Sequence, residues 1–446
     1  MVPESVTNRA GCMRYWLIHA GEPLPIDGDV RLFRYGILSS MLADRGHDVV
    51  QWAGTFDHFL KRHRALCSKT IRLDENRQIE LLHGRGYRRH IGLDRIRTNR
   101  EMALEFRRRA GATDRPDVVV VSVPTLELAD EAVAFCRRCS VPVVVDVRDL
   151  WPDVYLRILP SGLKTMGRLA LMPAYRKVRR ICRESTALVG ISPGYLEWGL
   201  RLAGRKRRPS DRVFSHAYLK PELSEIQRET AKKQLASKGL SATGLSATGK
   251  VRFCYFGTLG RSCGLQYIID AVRQLTVEEQ QALEIVVCGT GPQLSEYQQM
   301  AEGVKSVQFL GRVSSPELIA LMEVADVGLA LYGTDSPQSL PNKPIEYMAG
   351  GLPILSTLRG ELQTLLEDYD CGLTVPAGDN RAMISAVREL MRQKSVRARF
   401  SRNVSTLYEQ HFSAEQVYSK MIDYLEALGN DASRDEKRET ICSVAA

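Results

Sequence analysis

VRFCYFGTLG, Val251 to Gly260, is the stretch that decides the fold. An apolar run broken only by Arg252 ends in two glycines, and a helical pattern, GLQYIIDAVRQL, starts at Gly264. Such a run suits a strand buried on both faces, hence a parallel sheet, and the glycines let the chain turn into the helix. Outward from it the unit recurs as EIVVCGTGP (284–292), VQFLGRV (307–313), SPELIALMEVA (315–325), DVGLALY (326–332), NKPIEYMAGG (342–351), PILST (353–357) and GLTVP (372–376). Strand and helix alternate, the pattern of a doubly wound α/β domain that binds ligands at the C-terminal ends of its strands.

The front half opens the same way. RYWLIHA (14–20), the loop GEPLPIDGDVR (21–31), the helix LFRYGILSSMLADRG (32–46) and HDVVQWAG (47–54) form a βαβ unit. PDVVVVSV (116–123), VPVVVDV (141–147) and TALVGIS (186–192) continue it. A chain of 446 residues suits two domains of roughly 200 residues each. The expected architecture is α/β, with two doubly wound Rossmann-like domains facing each other across a cleft. The expected division is an N-terminal tail (1–12), a first domain (13–210), a second domain (211–412) with a flexible loop at 237–249, a helix (413–428) that could pack back on the domain junction, and a disordered tail (429–446). The loop assignment rests on the small polar tandem GLSATGLSATG, which cannot build a core.

With 44% hydrophobic and 26% charged residues, neither wholesale disorder nor a coiled coil is indicated. Of the net charge of +10, much is local: Lys61 to Ala110 holds 15 Lys or Arg against 6 Asp or Glu. That field suits anionic lipid headgroups, nucleic acid or a phosphorylated substrate, or is simply a solvated face. Several of the ten cysteines sit in apolar runs, so reduced thiols are expected, and Cys136 and Cys139 read as structural. No apolar run reaches the roughly 18 residues of a membrane span. A cytoplasmic location is therefore expected, with peripheral attachment at the inner face of the membrane as an extension.

Gly257, Gly260 and Arg261 lie where the strand at 251–256 ends, so backbone amides could approach a phosphate and the arginine could add a bidentate contact; a structural turn is the alternative. Gly289 and Gly291 repeat the theme more weakly. In SPQSLPNKPIEYMAGG (336–351) a polar, proline-punctuated loop brings amides and Lys343 to a helix start, a ready anion site. Glu346, one turn in, could accept hydrogen bonds from two ribose hydroxyls, or merely satisfy the helix dipole. In the first domain Asp146, Arg148, Asp149 and Trp151 end a buried strand. Asp149 could orient or deprotonate an acceptor hydroxyl, or pair with Arg148; His19 could play the same part, or be packed and hydrogen-bonded.

The ordered series FGTLGR, GTGP, FLGRV, SLPNKPIEYMAGG, PILST, Gly360-Glu361 and CGLTVPAGD resembles the donor domain of retaining glycosyltransferases of family four, which have the two-domain GT-B fold. The loop with Gly28 and Arg31, RGHDVV (45–50) and VVVDVRDLWPD (143–153) resemble the acceptor domain of that family, in the branch acting in bacterial surface polysaccharide assembly, often on N-acetylated amino sugars. The resemblance implies that Arg261 and Lys343 hold a diphosphate, Glu346 the ribose, and the amides of Ser339 and Leu340 the sugar or its phosphate. Gln338 stands where members usually carry a glutamate reaching the donor sugar, and Ser262 and Cys263 where many carry a lysine. SHAYL (215–219) replaces the usual Asn-Gly-Val-Asp.

By that resemblance the chain takes a hexose or N-acetylhexosamine from a UDP-sugar to a lipid-linked or saccharide acceptor with retention. Asp149, Arg261, Lys343 and Gln338 are the catalytic candidates, and His19, Gly28, Arg31, Arg148 and Asp149 form the acceptor side. No cofactor, no metal and no nucleic-acid partner are expected, because Arg261, Lys343 and a helix N-terminus would supply the positive charge. The alternatives are a nucleotide-sugar epimerase of the same fold and a non-catalytic partner that binds nucleotide sugar.

Overall fold

The computed structural model describes residues 11–28, 30–88, 92–157, 159–240, 249–334, 336 and 339–444. It divides into two compact units: unit 1, Met1–Ser215 with Val417–Ala446, and unit 2, His216–Gln416. Among the described residues no helix is long and apolar enough to cross a membrane.

The strands of unit 1 are β1 (Arg14–Ile18), β2 (Asp48–Gly54), β3 (Phe56–Asp57), β4 (Arg62–His63), β5 (Lys69–Arg72), β6 (Arg77–Leu82), β7 (Val118–Val123), β8 (Val143–Val147), β9 (Ala187–Gly190) and β10 (Arg212–Val213). One sheet runs β10-β9-β8-β7-β1-β2-β6-β5, parallel except at its β5 edge, and β3 pairs with β4 apart from it. Every residue of β7 and β8 is buried, Ser122 and Asp146 included, as suits valine-rich strands covered on both faces. The helix Leu126–Arg138 covers one face with Leu126, Ala129, Val133 and Cys136, buried at helical spacing, which gives Cys136 its structural role. Trp16, Trp52 and Phe106 interlock beneath it, with the two indole centroids 4.9 Å apart.

Unit 2 is built on β11 (Val251–Phe256), β12 (Leu283–Cys288), β13 (Val307–Gly311), β14 (Val327–Ala330), β15 (Ile354–Ser356) and β16 (Gly372–Thr374). Its order, β13-β12-β11-β14-β15-β16, is parallel throughout. The sequence direction reverses between β11 and β14, so the ends of those strands form the topological switch point where open α/β sheets take ligands. The expected fold class, two Rossmann-like α/β domains of the GT-B type, is the one observed.

Three details differ from the sequence reading. The stretch 61–110, read there only as charge, supplies β6, a parallel neighbour of β2, and much of its charge is paired inside unit 1: Arg64 with Asp27, Arg85 with Glu101, Arg107 with Glu131 and Arg109 with Glu80. Second, the last helix, expected only to pack back at the domain junction, belongs to unit 1: the chain leaves unit 2 after Gln416, and within unit 1 Arg45 binds Asp423 at 2.6 Å and His47 meets Glu426 at 3.0 Å. Third, the last helix runs Ala414–Val444, past Gly429 where a tail was expected to begin. No proline stops it, and its Ala, Arg, Glu and Lys residues are good helix formers. The core of the proposed flexible loop, 241–248, and residues 1–10 lie outside the described residues.

Candidate functional site

At the switch point of unit 2 the two glycine loops are built against each other. Gly257 N–H donates to Cys288 O at 3.0 Å, Leu259 N–H to Thr290 O at 3.0 Å, and Gln293 N–H returns to Leu259 O at 3.0 Å. A Cβ on Gly289 would fall 1.9 Å from Gly257 O, and one on Gly291 2.3 Å from Leu259 O. Gly289 also has φ +145° and Gly257 φ +136°, backbone that side chains rarely allow. These glycines therefore serve the close approach of two loops, which in turn fixes the direction of the amides at the end of β11. The next segment is tied to the exit of β14: Gly264 N–H donates to Leu331 O and Gly333 N–H to Ser262 O. That leaves Arg261 exposed, with no ion-pair partner among the described residues.

Lys343 enters from the helix Asn342–Ala349. A Cβ on Gly257 would lie 3.2 Å from its Nζ, so the ammonium stands directly over the first glycine loop. Its Nζ rests 3.6 Å from the Tyr255 ring centroid and 5.4 Å from that of Tyr332, a cation over aromatic faces. Burial pushes the ammonium down to about 8, against the opposing pull of Cys263 and Glu346. A partly desolvated cation interacts more strongly with an incoming anion than a hydrated one does.

Tyr347 holds this helix in place. Its hydroxyl donates toward Cys254 O and Leu329 O, each at 3.1 Å, and a Cβ on Gly328 would strike its ring at 2.4 Å. The helix is thus locked across β11 and β14, and the buried Glu346 keeps a fixed station one turn inside it. Ser339 anchors the preceding loop, with its Oγ accepting from Glu361 N–H at 3.2 Å and its carbonyl accepting from Leu362 N–H at 3.2 Å. Gly360 precedes the next helix, Glu361–Asp368, with φ +90°, which accounts for the Gly-Glu pair in the sequence. Leu340 is buried beside it, whereas Gln338 lies outside the described residues. Gly257, Gly260, Arg261, Gly289, Gly291, Ser339, Leu340, Lys343 and Glu346 thus all belong to unit 2, gathered on its switch-point loops and the helix start.

In unit 1 the candidates fall at the ends of β1 and β8. His19 Nδ1 accepts from Gly21 N–H at 3.0 Å and Glu22 N–H at 3.1 Å, which leaves the proton on Nε2. Burial, reinforced by Arg148, lowers the imidazole to about 4 although Glu22 opposes the shift. His19 is therefore a neutral donor at pH 7, equipped to orient a hydroxyl rather than to deprotonate it. Arg148 does not pair with Asp149; it forms an ion pair with the buried Glu22, whose other oxygen accepts Tyr35 N–H at 2.9 Å. Burial pushes the Glu22 carboxyl up, yet Arg148 and the bonds it receives hold it below the usual range. Asp149 accepts from Leu150 N–H at 2.8 Å and from Trp151 Nε1 at 3.0 Å, so it shapes the turn that carries the indole.

Asp146 lies beneath, fully buried, with Arg34 at 3.1 Å; burial raises its carboxyl against the pull of Arg34. Gly28 has φ +92° and open space where a Cβ would stand. Arg31 has its guanidinium carbon 5.1 Å from the Phe33 ring centroid. Asp27, of the triplet Asp27-Gly28-Asp29, has the Asp-X-Asp form of a metal-binding pair, but its carboxylate is held by Arg64 at 2.7 Å through both oxygens.

Sequence reasoning missed Glu22, Arg34 and Tyr255. Each is contributed by an element remote in the chain from its partner, and only the polarity of Glu22 inside a turn-rich loop could have drawn notice.

Residues 250–393 match the family described as Glycosyl transferases group 1. A phosphatidyl-myo-inositol mannosyltransferase of Mycobacterium leprae is 28% identical over 137 residues, 31% of this chain and 36% of that protein. The D-rhamnosyltransferase WbpZ of Pseudomonas aeruginosa is 26% identical over 170 residues, 36% of this chain and 42% of that protein. The chain spans about a third to two fifths of the length of these curated relatives. Among solved structures, sucrose-phosphate synthase from Thermosynechococcus elongatus superposes with a TM-score of 0.68 at 16% identity, covering 93% of this chain and 99% of that one. Anabaena HepE in complex with UDP-glucose gives 0.61 at 15% identity, covering 93% and 100%. WaaG, a glycosyltransferase involved in lipopolysaccharide biosynthesis, gives 0.61 at 14%, covering 92% and 99%.

Proposed function

We propose that the chain is a retaining glycosyltransferase of bacterial surface polysaccharide assembly, moving a hexose or N-acetylhexosamine from a UDP-sugar to a hydroxyl of a lipid-linked or saccharide acceptor. The observation that carries the reading is Lys343 poised over the Gly257 loop, with Glu346 fixed one turn further in. The match of residues 250–393 to group 1 transferases and the sugar-transfer activities in the names of the similar proteins support it. UDP is the favoured nucleotide because HepE, which shares the fold, holds UDP-glucose.

In this reading Lys343, Arg261 and the loop amides meet the diphosphate, and Glu346 accepts the ribose hydroxyls. The negative charge on the diphosphate grows as the glycosidic bond breaks, so cations already in place favour the transition state over the ground state. The leaving phosphate takes the acceptor proton on the same face of the sugar, and Gln338 would reach the donor hydroxyls. His19 and Asp149 orient the acceptor side. The charge is supplied without a metal or cofactor. The basic stretch 61–110 and a second basic segment, RKRRP at Arg205 to Pro209, would hold the chain on the inner face of an anionic membrane near a lipid-linked acceptor.

The test is incubation with a panel of nucleotide sugars and an oligosaccharide or polyprenyl-diphosphate acceptor pool, with product identified by mass spectrometry and its anomeric configuration by NMR. A new glycoside with the donor's configuration is expected. Epimerised donor without acceptor would favour the epimerase, and binding with no turnover of any acceptor would favour a non-catalytic partner.

A further inference from the structure

Leu163, Met166 and Leu169 stand on the surface of unit 1 with 49%, 68% and 65% of their areas exposed. They recur every three residues along the short helix Lys164–Ala170 and the turn that opens it. The helix is seated by Gly167, where a Cβ would come 2.3 Å from Leu159 Cδ1 and 3.2 Å from Leu156 Cδ2. One side is thus packed, and the other presents apolar side chains to solvent.

Beside it lies a cavity of about 290 Å³ lined by Arg168, Arg179 and Arg201 with Tyr175, Trp198 and Asp153. Asp153 is already engaged, accepting from the Tyr175 hydroxyl and from Trp198 Nε1. Arg179 and Arg201 have no acidic partner among the described residues, in contrast to the paired arginines of the stretch 61–110. Arginines without carboxylate partners around an aromatic-walled cavity suit a phosphate, which a guanidinium binds bidentately. A free phosphate would have no use for three exposed apolar side chains next to it. A bilayer has, because its headgroups supply the anion and its acyl boundary takes the apolar groups.

We propose that the helix Lys164–Ala170 and the arginine-lined cavity form the lipid-surface anchor of unit 1, with Leu163, Met166 and Leu169 entering the acyl boundary and a headgroup phosphate held among Arg168, Arg179 and Arg201. The inference deepens the docking reading given above and moves its centre from the basic stretch to this helix. Its readout needs no sugar transfer.

The full chain is sedimented with phosphatidylcholine vesicles, with and without phosphatidylglycerol, at low and high salt. M166D/L169D and R179E/R201E should each lower binding to the anionic vesicles by about ten-fold or more, whereas R62E/R100E, at exposed arginines of the basic stretch, should bind nearly as wild type. Unfolding midpoints confirm that each variant is folded. If R62E/R100E lost binding and M166D/L169D kept it, the anchor would be the basic stretch and the proposal would fall. Release by inorganic phosphate with no effect of M166D/L169D would make the cavity a soluble-anion site and also overturn it. Absence of vesicle binding by the wild type would overturn the anchor and the docking reading together, and leave the transferase reading to its own assay.

Discussion

Because burial against Tyr255 pushes the Lys343 ammonium down to about 8, its charge is present at pH 7 and fades as pH rises through that value. Nucleoside diphosphate affinity should therefore fall between pH 7 and pH 9, and Lys343→Arg, which stays charged, should flatten that fall in calorimetry. Stability runs the other way. The unfolded chain keeps this proton up to about 10.4, so from about 8 to 10.4 the unfolded state binds more protons and the fold gains stability with rising pH. Lys343→Met keeps the packing and removes the charge. It should raise the thermal midpoint at pH 7 while lowering turnover, and a lowered midpoint would mean that the ring contact outweighs burial. Lys343 and Glu346 were legible because helix-start chemistry is local to 336–351. The aromatic floor was not, because Tyr255 comes from β11 and nothing in its own neighbourhood names Lys343.

At the level of elements, the interlocked glycine loops make a sharp expectation. Gly289→Ala places a Cβ 1.9 Å from Gly257 O at a φ of +145°, so something in the two loops must move. A loss of at least ~2 kcal/mol in denaturant unfolding is expected, together with weaker nucleotide binding. Unchanged stability would show that the loops can part freely. Arg34→Met tests unit 1: it leaves Asp146 buried without its ion-pair partner, and the expected loss is about 3–5 kcal/mol. A loss under ~1 kcal/mol would mean that the carboxyl is content without it. The valine runs of β7 and β8 announced themselves, since continuous apolar segments need burial on both faces. The pairing of β6 with β2 did not, because long-range sheet partners override a local composition that reads as surface charge. The Arg34–Asp146 pair was hidden for a similar reason, its members lying on a helix and a strand far apart in sequence.

For the whole molecule, the fold class followed from alternation of strand and helix, and a helix packing back at 413–428 was expected; that the segment from Val417 onward belongs to unit 1 was not legible, because an amphipathic pattern shows a buried face without naming what buries it. The proposed chemistry places its positive charge in side chains and amides, so sugar transfer should survive EDTA; a full loss restored by magnesium or manganese would reveal a ligand set among the acids that this account leaves unused. The most direct measurement is calorimetric titration of the full chain with UDP, repeated on Glu346→Ala. Saturable binding to the wild type is expected, with a loss of about 1.5–3 kcal/mol in the variant, the worth of hydrogen bonds to a charged acceptor. No binding of UDP to the wild type, or equal affinity in the two proteins, would contradict the assignment of the donor site to the switch point of unit 2.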